Sequence, residues 1–118
     1  MVKLLARMHE AGVPIVAGTD GAGIELVREL EIYQEAGLTA AEALAAATIV
    51  PAKLVGQGGY TGSITVGKNA DLVLVEGDPS KRLADLRQTR VVMLDGKLLD
   101  ADALRSAAGF SGRPKPLE

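Results

Sequence analysis

The spacing of apolar residues predicts two helices and a buried strand at the start of the chain. Over residues 2–11 apolar side chains recur at helical intervals, and Gly12 with the Val-Pro pair that follows ends that helix. Residues 14–18 form a continuous apolar run, which is typical of a strand buried on both faces, as in a parallel sheet. A second amphipathic helix is predicted over 24–36, and Gly37 is suited to cap it.

Further helix signals follow directly. Thr39 and Glu42 have the spacing of a capping box, in which each side chain binds an orphan backbone amide, and they open an alanine-rich helix over 43–47. Pro51 suits the first turn of another short helix over 52–55. The pattern up to residue 56 therefore predicts a single strand, preceded by one helix and followed by three.

After residue 57 the pattern changes from alanine-rich helices to β-branched runs separated by glycine. Asp95-Gly96 between two such runs predicts a hairpin, because both residues tolerate the positive φ of a type I′ turn. A terminal helix is predicted over 101–108. The predicted strands are residues 63–66, 71–75, 90–94 and 97–99.

These changes divide the chain into three predicted parts. Residues 1–56 hold the first strand and its helices, and 57–100 hold the later strands. Residues 101–118 form the terminal helix and a tail, whose closing Leu117-Glu118 resembles a cloning scar.

Composition and charge exclude several classes of function. A chain of 118 residues is long enough for one domain with a real core. Its net charge is -2, its basic residues are scattered and its aromatic content is 3%, which argues against nucleic-acid binding. The chain has no cysteine, hence neither disulfides nor thiolate metal ligands, and no apolar run long enough for a signal peptide or a membrane span. We therefore expect a cytoplasmic protein that binds neither nucleic acid nor membrane.

Two segments partly match phosphate-binding loops. Gly21-Ala22-Gly23 lies between a predicted strand and a helix, but Leu26 stands where a dinucleotide-binding turn has its third glycine. Residues 62–69 have the P-loop spacing, with Asn69 in place of the hydroxyl residue that holds Mg²⁺. The flanking β-branched residues favour a hairpin turn with an exposed Lys68, so a small nucleotide-binding domain is the weakest interpretation.

Two residues are candidates for chemistry. His9 is the only histidine, so the chain alone forms neither a histidine pair nor a Ser-His-Asp triad, and we expect its side chain to be solvated. Asp20 comes just after the predicted strand 14–18, and ligands gather at the carboxyl ends of parallel strands. Aspartate is also a preferred N-cap residue, so the residues themselves leave Asp20 as either a helix cap or a functional carboxylate.

An ordered series of short motifs resembles the C-terminal end of a metal-dependent amidohydrolase, in the imidazolonepropionase-like and prolidase-like branch. The series covers residues 2–100 in the order and spacing of that family, which makes it more specific than any single motif. The motifs are residues 13–20 (VPIVAGTD), 29–31 (ELE), 36–44 (AGLTAAEAL), 46–48 (AAT), 51–53 (PAK), 62–64 (GSI), 67–68 (GK), 70–75 (ADLVLV) and 77–79 (GDP).

The resemblance implies an α/β fold and a site residue. It implies that 14–18 is the last strand of a (β/α)8 barrel and that the later strands belong to a small β-sandwich. In that family the aspartate after the last barrel strand binds a divalent metal, usually zinc, and takes the proton of the attacking water. Asp20 is the matching position, as both metal ligand and catalytic residue. The family's other ligands, which include a His-x-His pair and two later histidines, have no counterpart in this chain.

The function implied is that of the C-terminal portion of a hydrolase that acts on amide or peptide bonds of a small cyclic amide or a dipeptide. One carboxylate cannot hold a catalytic zinc, which takes about four ligands, so we expect the isolated chain to be inactive and to bind no zinc tightly. A barrel strand without its neighbours leaves open edges, so we expect a homo-oligomer. Ala40 and Val50 depart from the family's usual proline and asparagine, and Val50 removes a helix cap. The alternative function is a non-catalytic oligomerisation or scaffold module.

Overall fold

The fold places helices in the first half of the chain and a small antiparallel sheet in the second. The computed structural model describes residues 1–21 and 25–114. The helices in those ranges are α1 (Val2–Glu10), α2 (Leu26–Glu35), α3 (Ala40–Ala46), α4 (Ile49–Leu54) and α5 (Ala101–Ala107), with a 3₁₀ helix at Leu83–Gln88. The strands are β1 (Leu72–Val75), β2 (Thr89–Leu94) and β3 (Lys97–Asp100).

Helix α3 begins where the capping box predicts. The Thr39 hydroxyl accepts a hydrogen bond from the Glu42 backbone amide at 3.2 Å, and the Glu42 carboxylate accepts one from the Thr39 backbone amide at 2.7 Å. Two orphan amides are thereby satisfied by side chains only three positions apart. The hydrogen bonds from Thr39 lower the pKa of Glu42, because they favour its charged form.

The core lies where α2 packs against α3 and the 3₁₀ helix. Leu30 and Leu83 are the largest side chains that are almost fully buried, and burial of a leucine is worth about 1.5 to 3 kcal/mol. Ala43 of α3 has no exposed surface, because its small side chain lets the facing helix approach closely. The buried cluster comprises Leu30, Tyr33, Leu38, Ala40, Ala43, Ala46 and Leu83.

The sheet has the order β1-β2-β3 and is antiparallel throughout. Asp95 and Gly96 connect β2 to β3 with φ of 49° and 74°, which confirms the predicted turn. One face of the sheet carries a largely uncovered apolar groove. It is lined in part by Ile64, Leu72, Leu74, Met93 and Leu98.

An ion pair ties α2 to the 3₁₀ helix. The Arg87 guanidinium donates Nη2–H to Glu31 Oε2 at 3.1 Å and Nη1–H to Glu31 Oε1, a two-bond geometry. The two side chains are only 17% and 16% exposed. Because Arg87 stabilises the charged carboxylate, the pKa of Glu31 lies below its ordinary value, with a smaller contribution from Arg28.

Two predicted strands do not form within the described residues. Residues 14–18 and 63–66 pair with no strand in the described part of the chain. An apolar or β-branched run shows that a segment suits a sheet, but a strand also needs a hydrogen-bonded neighbour, and the described residues supply none to these segments.

Smaller differences concern helix bounds. The 3₁₀ helix was not predicted, since six residues with two leucines among an aspartate, an arginine and a glutamine carry little periodic signal. Helix α4 begins at Ile49 with Thr48 at its N-cap, so Val50 lies inside the helix and removes no cap.

None of the helices in residues 1–21 and 25–114 combines the length and apolar character that a bilayer span requires.

Gly62 sits against α4 so closely that a side chain does not fit. A Cβ there would lie 2.8 Å from Ala52 Cβ and 2.9 Å from Ile49 Cα, and its φ is +85°. We expect Gly62→Ala to lower the free energy of unfolding by about 3 kcal/mol or more, from strained φ and overpacking together. Gly67→Ala is the matched control, since φ there is +92° with nothing within 4 Å of its Cβ, and we expect it to cost only about 1 to 2 kcal/mol. Equal losses in urea titrations would contradict the close contact.

The Glu31–Arg87 pair makes the free energy of unfolding depend on pH in the acid range. Because the folded-state pKa of Glu31 is lowered, its contribution is complete above the ordinary glutamate pKa and is lost as the pH falls through the lowered value. We expect Glu31→Gln to cost about 1 to 3 kcal/mol at neutral pH and to flatten the fall of the melting temperature with acid. Glu35→Gln, which removes an exposed partner of Arg28, should change much less. Parallel acid profiles for wild type and Glu31→Gln would show that the pair contributes nothing.

Candidate functional site

Asp20 lies at an exposed bend between α1 and α2, after the segment 13–19. Helix α2 begins at Leu26 with Glu25 at its N-cap, so the interpretation of Asp20 as the cap of this helix is wrong. Within the described residues the Asp20 carboxylate makes no hydrogen bond or ion pair. Residues 22–24, which follow Asp20 and Gly21, lie outside the described residues.

The segment that leads to Asp20 is held by side chains of α2. The Gly18 amide donates a hydrogen bond to Glu29 Oε1 at 3.2 Å. The Tyr33 hydroxyl lies 3.2 Å from the carbonyl oxygen of Val16 and also donates to Glu29 Oε1. On the other side, the Ala17 amide donates to the carbonyl oxygen of Ala46 at 2.8 Å. Each of residues 16–18 therefore has a backbone group that is hydrogen-bonded to a residue of a helix.

Tyr33 is buried, Glu29 is half-buried, and a hydrogen bond joins the two side chains. Tyr33 is 6% exposed, and its burial, together with the hydrogen bond to Glu29 and the negative charge of that carboxylate, raises the pKa of the Tyr33 hydroxyl. Tyr33 therefore stays a neutral donor. The second carboxylate oxygen, Glu29 Oε2, is buried and finds no hydrogen-bond partner among the described residues.

The described residues do not form a complete metal site. No group of three or more histidine, cysteine, aspartate and glutamate side chains comes together within 1–21 and 25–114. Asp20 has the chemistry of a single ligand, since an exposed carboxylate without a partner can bind a divalent cation, but zinc takes about four ligands. A metal at Asp20 would need its remaining ligands from other residues.

His9 is less solvated than expected. Its Nε2 lies 4.0 Å from Glu42 Oε1, and its side chain is 31% exposed. It faces a shallow cleft formed with residues 12–15 and α3. The structure does not bring His9 together with Asp20 in any cluster of metal-binding side chains in the described part of the chain.

In the P-loop-like segment 62–69, the ammonium group of Lys68 is already bonded to other groups of the protein and is not available to a phosphate. Lys68 Nζ donates to the carbonyl oxygens of Gly58 at 2.5 Å and Thr61 at 3.3 Å and to the Ser63 hydroxyl at 2.8 Å. An ammonium group has three hydrogens, so these bonds use all its donors. The expected exposed lysine is wrong: Lys68 is half-buried and fastens a loop. In the other candidate loop, Ala22 and Gly23 lie outside the described residues.

Sequence reasoning missed Glu29 and Tyr33. They are four positions apart on α2, which places them on one face of the helix, and Glu29 belongs to a motif of the family resemblance. Helical spacing puts Tyr33 on the apolar stripe of α2 with Leu30, whereas Glu29 lies among the charged positions beside that stripe. Only the tertiary structure shows that both contact the backbone that precedes Asp20.

Comparison with known proteins identifies a family. A sequence model of the amidohydrolase family matches residues 2–99. Imidazolonepropionase of Syntrophobacter fumaroxidans (strain DSM 10017 / MPOB) is 40% identical over 84 residues, which cover 66% of this chain and 20% of that protein. A 5-methylthioadenosine/S-adenosylhomocysteine deaminase of Symbiobacterium thermophilum is 35% identical over 89 residues, with 63% and 20% covered. The chain thus spans about a fifth of the length of these curated relatives.

A solved structure gives the same result for the fold. The crystal structure of a Xaa-Pro dipeptidase with bound methionine in the active site superposes with a TM-score of 0.79 at 34% identity. The match covers 85% of this chain and 25% of the dipeptidase chain. The resemblance to the imidazolonepropionase-like and prolidase-like branch is therefore confirmed.

Proposed function

We propose, since the chain belongs to the amidohydrolase family, that it is the C-terminal portion of a metal-dependent hydrolase that cleaves C–N bonds in a small molecule. The observation that carries this proposal is the family match over residues 2–99 together with the position of Asp20. Asp20 follows the segment 13–19, is exposed, and lacks any structural partner among the described residues.

Asp20 is proposed as both a metal ligand and the proton carrier. A bound divalent metal, with zinc the expected ion, lowers the pKa of water toward neutrality. The Asp20 carboxylate would accept the proton of the attacking water and donate it to the leaving nitrogen, which is the role of a general base that becomes a general acid. Its exposed position at a bend is compatible with both transfers.

The substrate is proposed to be a small cyclic amide or a dipeptide. This proposal is supported by the similarity of the chain to an imidazolonepropionase and to a Xaa-Pro dipeptidase. The matched deaminase widens the class to other C–N bonds. In barrel enzymes, specificity depends on loops after several different strands, so this portion alone does not select among these substrates.

The architecture proposed for the complete protein follows the resemblance. Residues 1–56 would contribute the last strand and helices of a (β/α)8 barrel, with 14–18 paired to neighbouring strands. Residues 57–100 would contribute to a small β-sandwich, with 101–118 as the terminal helix and tail. The mixed α/β character and the small antiparallel sheet support this arrangement. A cytoplasmic location remains a prediction of the sequence.

A second candidate function is a non-catalytic oligomerisation or scaffold module. The observation in its favour is the uncovered apolar surface of the sheet region, where Ile64, Leu74 and Leu98 are 87%, 63% and 68% exposed. Such a surface is unusual for a chain that remains monomeric. The two candidates differ in the role of Asp20: the hydrolase needs its carboxylate for activity, whereas a scaffold module does not.

The hydrolase proposal is tested in the complete open reading frame that contains this chain. We expect stoichiometric divalent metal by elemental analysis, and hydrolysis of a cyclic amide or a Xaa-Pro dipeptide. Asp20→Ala should lower kcat about 100-fold to 10,000-fold, the usual range for loss of a proton carrier. Glu10→Ala, at an exposed carboxylate, is the control and should leave kcat unchanged.

Two results would contradict the proposal. If Asp20→Ala retains full activity and metal content, Asp20 has neither role. The 118-residue chain alone is expected to show no tight zinc binding in calorimetry and no hydrolysis, so stoichiometric zinc that disappears in Asp20→Ala would overturn the view that this portion is incomplete.

Self-association follows from the same uncovered apolar surface. We propose that the isolated chain forms homo-oligomers through the sheet, and expect a mass above the monomer in light scattering at high micromolar concentration. The double variant Ile64→Ser with Leu98→Ser should shift the mass toward the monomer. Lys97→Ser, an exposed polar position on β3, is the control. A monodisperse wild-type monomer would count against this assembly.

A further inference from the structure

A cleft lies between the start of α2, the 3₁₀ helix, α5 and the segment that follows α5. Its volume is about 480 Å³, within the range of roughly 300 to 1,000 Å³ that small-molecule sites occupy. Its lining combines apolar side chains with guanidinium groups, and these are Val27, Leu86 and Phe110 with Arg87, Arg105 and Arg113. The cleft therefore presents both apolar contact and positive charge to a small ligand.

The segment 110–114 forms one wall of this cleft. Where the segment begins, the Phe110 amide donates a hydrogen bond to the carbonyl oxygen of Arg105 at 2.9 Å. Where it ends, Gln88 Nε2 donates to the carbonyl oxygen of Pro114 at 2.9 Å. Because the wall is bonded at both ends, the cleft is a formed part of the fold.

The positive charge in the cleft exceeds the negative charge that is paired with it. Asp102 accepts hydrogen bonds from both Arg105 and Arg113, so one carboxylate faces two guanidinium groups. Within residues 1–21 and 25–114 no second carboxylate pairs with either arginine, and Arg87 is paired with Glu31. The side chains of Arg105 and Arg113 are only 19% and 26% exposed. Excess charge of one sign in a partly buried cleft attracts an ion of the opposite sign.

Arg113 has more donors than Asp102 uses. A guanidinium group carries five N–H hydrogens. The bonds to Asp102 use one hydrogen on Nε and one on Nη2. One hydrogen on Nη1 and the second on Nη2 then form another fork, which matches the two oxygens of a carboxylate.

We propose that this cleft binds a small carboxylate that carries an apolar body. The carboxylate would accept from the second fork of Arg113 and supply the counter-charge that Asp102 alone does not, while the apolar body packs on Leu86 and Phe110. A ligand with one negative charge fits, because two guanidinium groups share one carboxylate. Asp20 does not line the cleft, so this inference does not depend on the proposed hydrolase function.

The ligand chemistry is tested by titrating the 118-residue chain with phenylacetate and following the backbone amides by NMR. We expect saturable shifts of the Ser111 and Gly112 amides, with a dissociation constant below about 1 mM, an affinity that a ligand of this size can reach. Phenylacetamide keeps the shape without the charge, and acetate keeps the charge without the ring. Each should bind about tenfold more weakly. Equal binding of phenylacetamide, or shifts confined to sheet residues such as Leu98, would overturn the proposal.

The role of Arg113 is tested with two variants. Arg113→Gln removes the charge and the fork, and should weaken phenylacetate binding about tenfold or more. Arg113→Lys keeps a cation opposite Asp102 but loses the fork, and should weaken binding about threefold. Arg90→Gln is the matched control, because Arg90 is an arginine of β2 that pairs with Glu76 and does not line the cleft. It should leave the dissociation constant unchanged.

Hydrogen exchange of the Phe110 amide shows whether the wall stays in place in each variant. If the amide keeps its protection and both Arg113 variants bind phenylacetate as the wild type does, the proposal fails. If Arg113→Gln loses this protection, Arg113→Lys decides in its place. Should both variants lose it, the comparison of phenylacetate with phenylacetamide in the wild type decides. Graded weakening from wild type through lysine to glutamine, with the wall intact, supports the site.

Discussion

Helix α2 is the element on which the other parts of the structure depend. Successive residues of a helix point about 100° apart, so neighbouring positions address different parts of the molecule. Leu30 is buried in the core, Glu31 binds Arg87 of the 3₁₀ helix, and Glu29 accepts from the Gly18 amide. Three consecutive residues thus connect the core, the sheet region and the segment before Asp20. Displacement of α2 would disturb all three.

The helical region is tightly packed because its contacts use small residues. Ala43 is fully buried under α2, and Gly62 leaves no room for a side chain against α4. Such contacts bring backbones close, which makes the arrangement sensitive to added volume. The Ala17 amide is hydrogen-bonded to the Ala46 carbonyl at the end of α3. Added volume that displaces α3 would therefore also displace residues 16–18.

The sheet region contrasts with this packing. The β2–β3 ladder is regular and the β1–β2 ladder has one register shift, between Leu74 and Val75, but apolar side chains such as Leu74 and Leu98 remain largely exposed. The chain spans about a fifth of the length of its curated relatives. We propose that this surface, like the single carboxylate at Asp20, belongs to a larger assembly. The family membership supports a hydrolase, whereas the exposed surface alone would equally suit a scaffold.

Local signals determined much of the secondary structure. The Thr39–Glu42 capping box and the Asp95-Gly96 turn were predicted and are confirmed, because each is completed by residues close in sequence. The ordered motifs also determined the family, which the match over residues 2–99 confirms. The role of Asp20 stays a prediction, since its proposed partners are not among the described residues.

Tertiary structure alone decided the features that join distant segments. Residues 14–18 read as a strand because they are apolar, yet their observed partners are Glu29, Tyr33 and a helix carbonyl. Asp20 read as a possible cap, but α2 begins later in the chain. An apolar run encodes burial, whereas the choice of hydrogen-bond partner depends on which groups the folded chain brings near. That is why the sequence by itself determined the helices, the hairpin and the family, and only the fold revealed the contacts that hold the segment before Asp20.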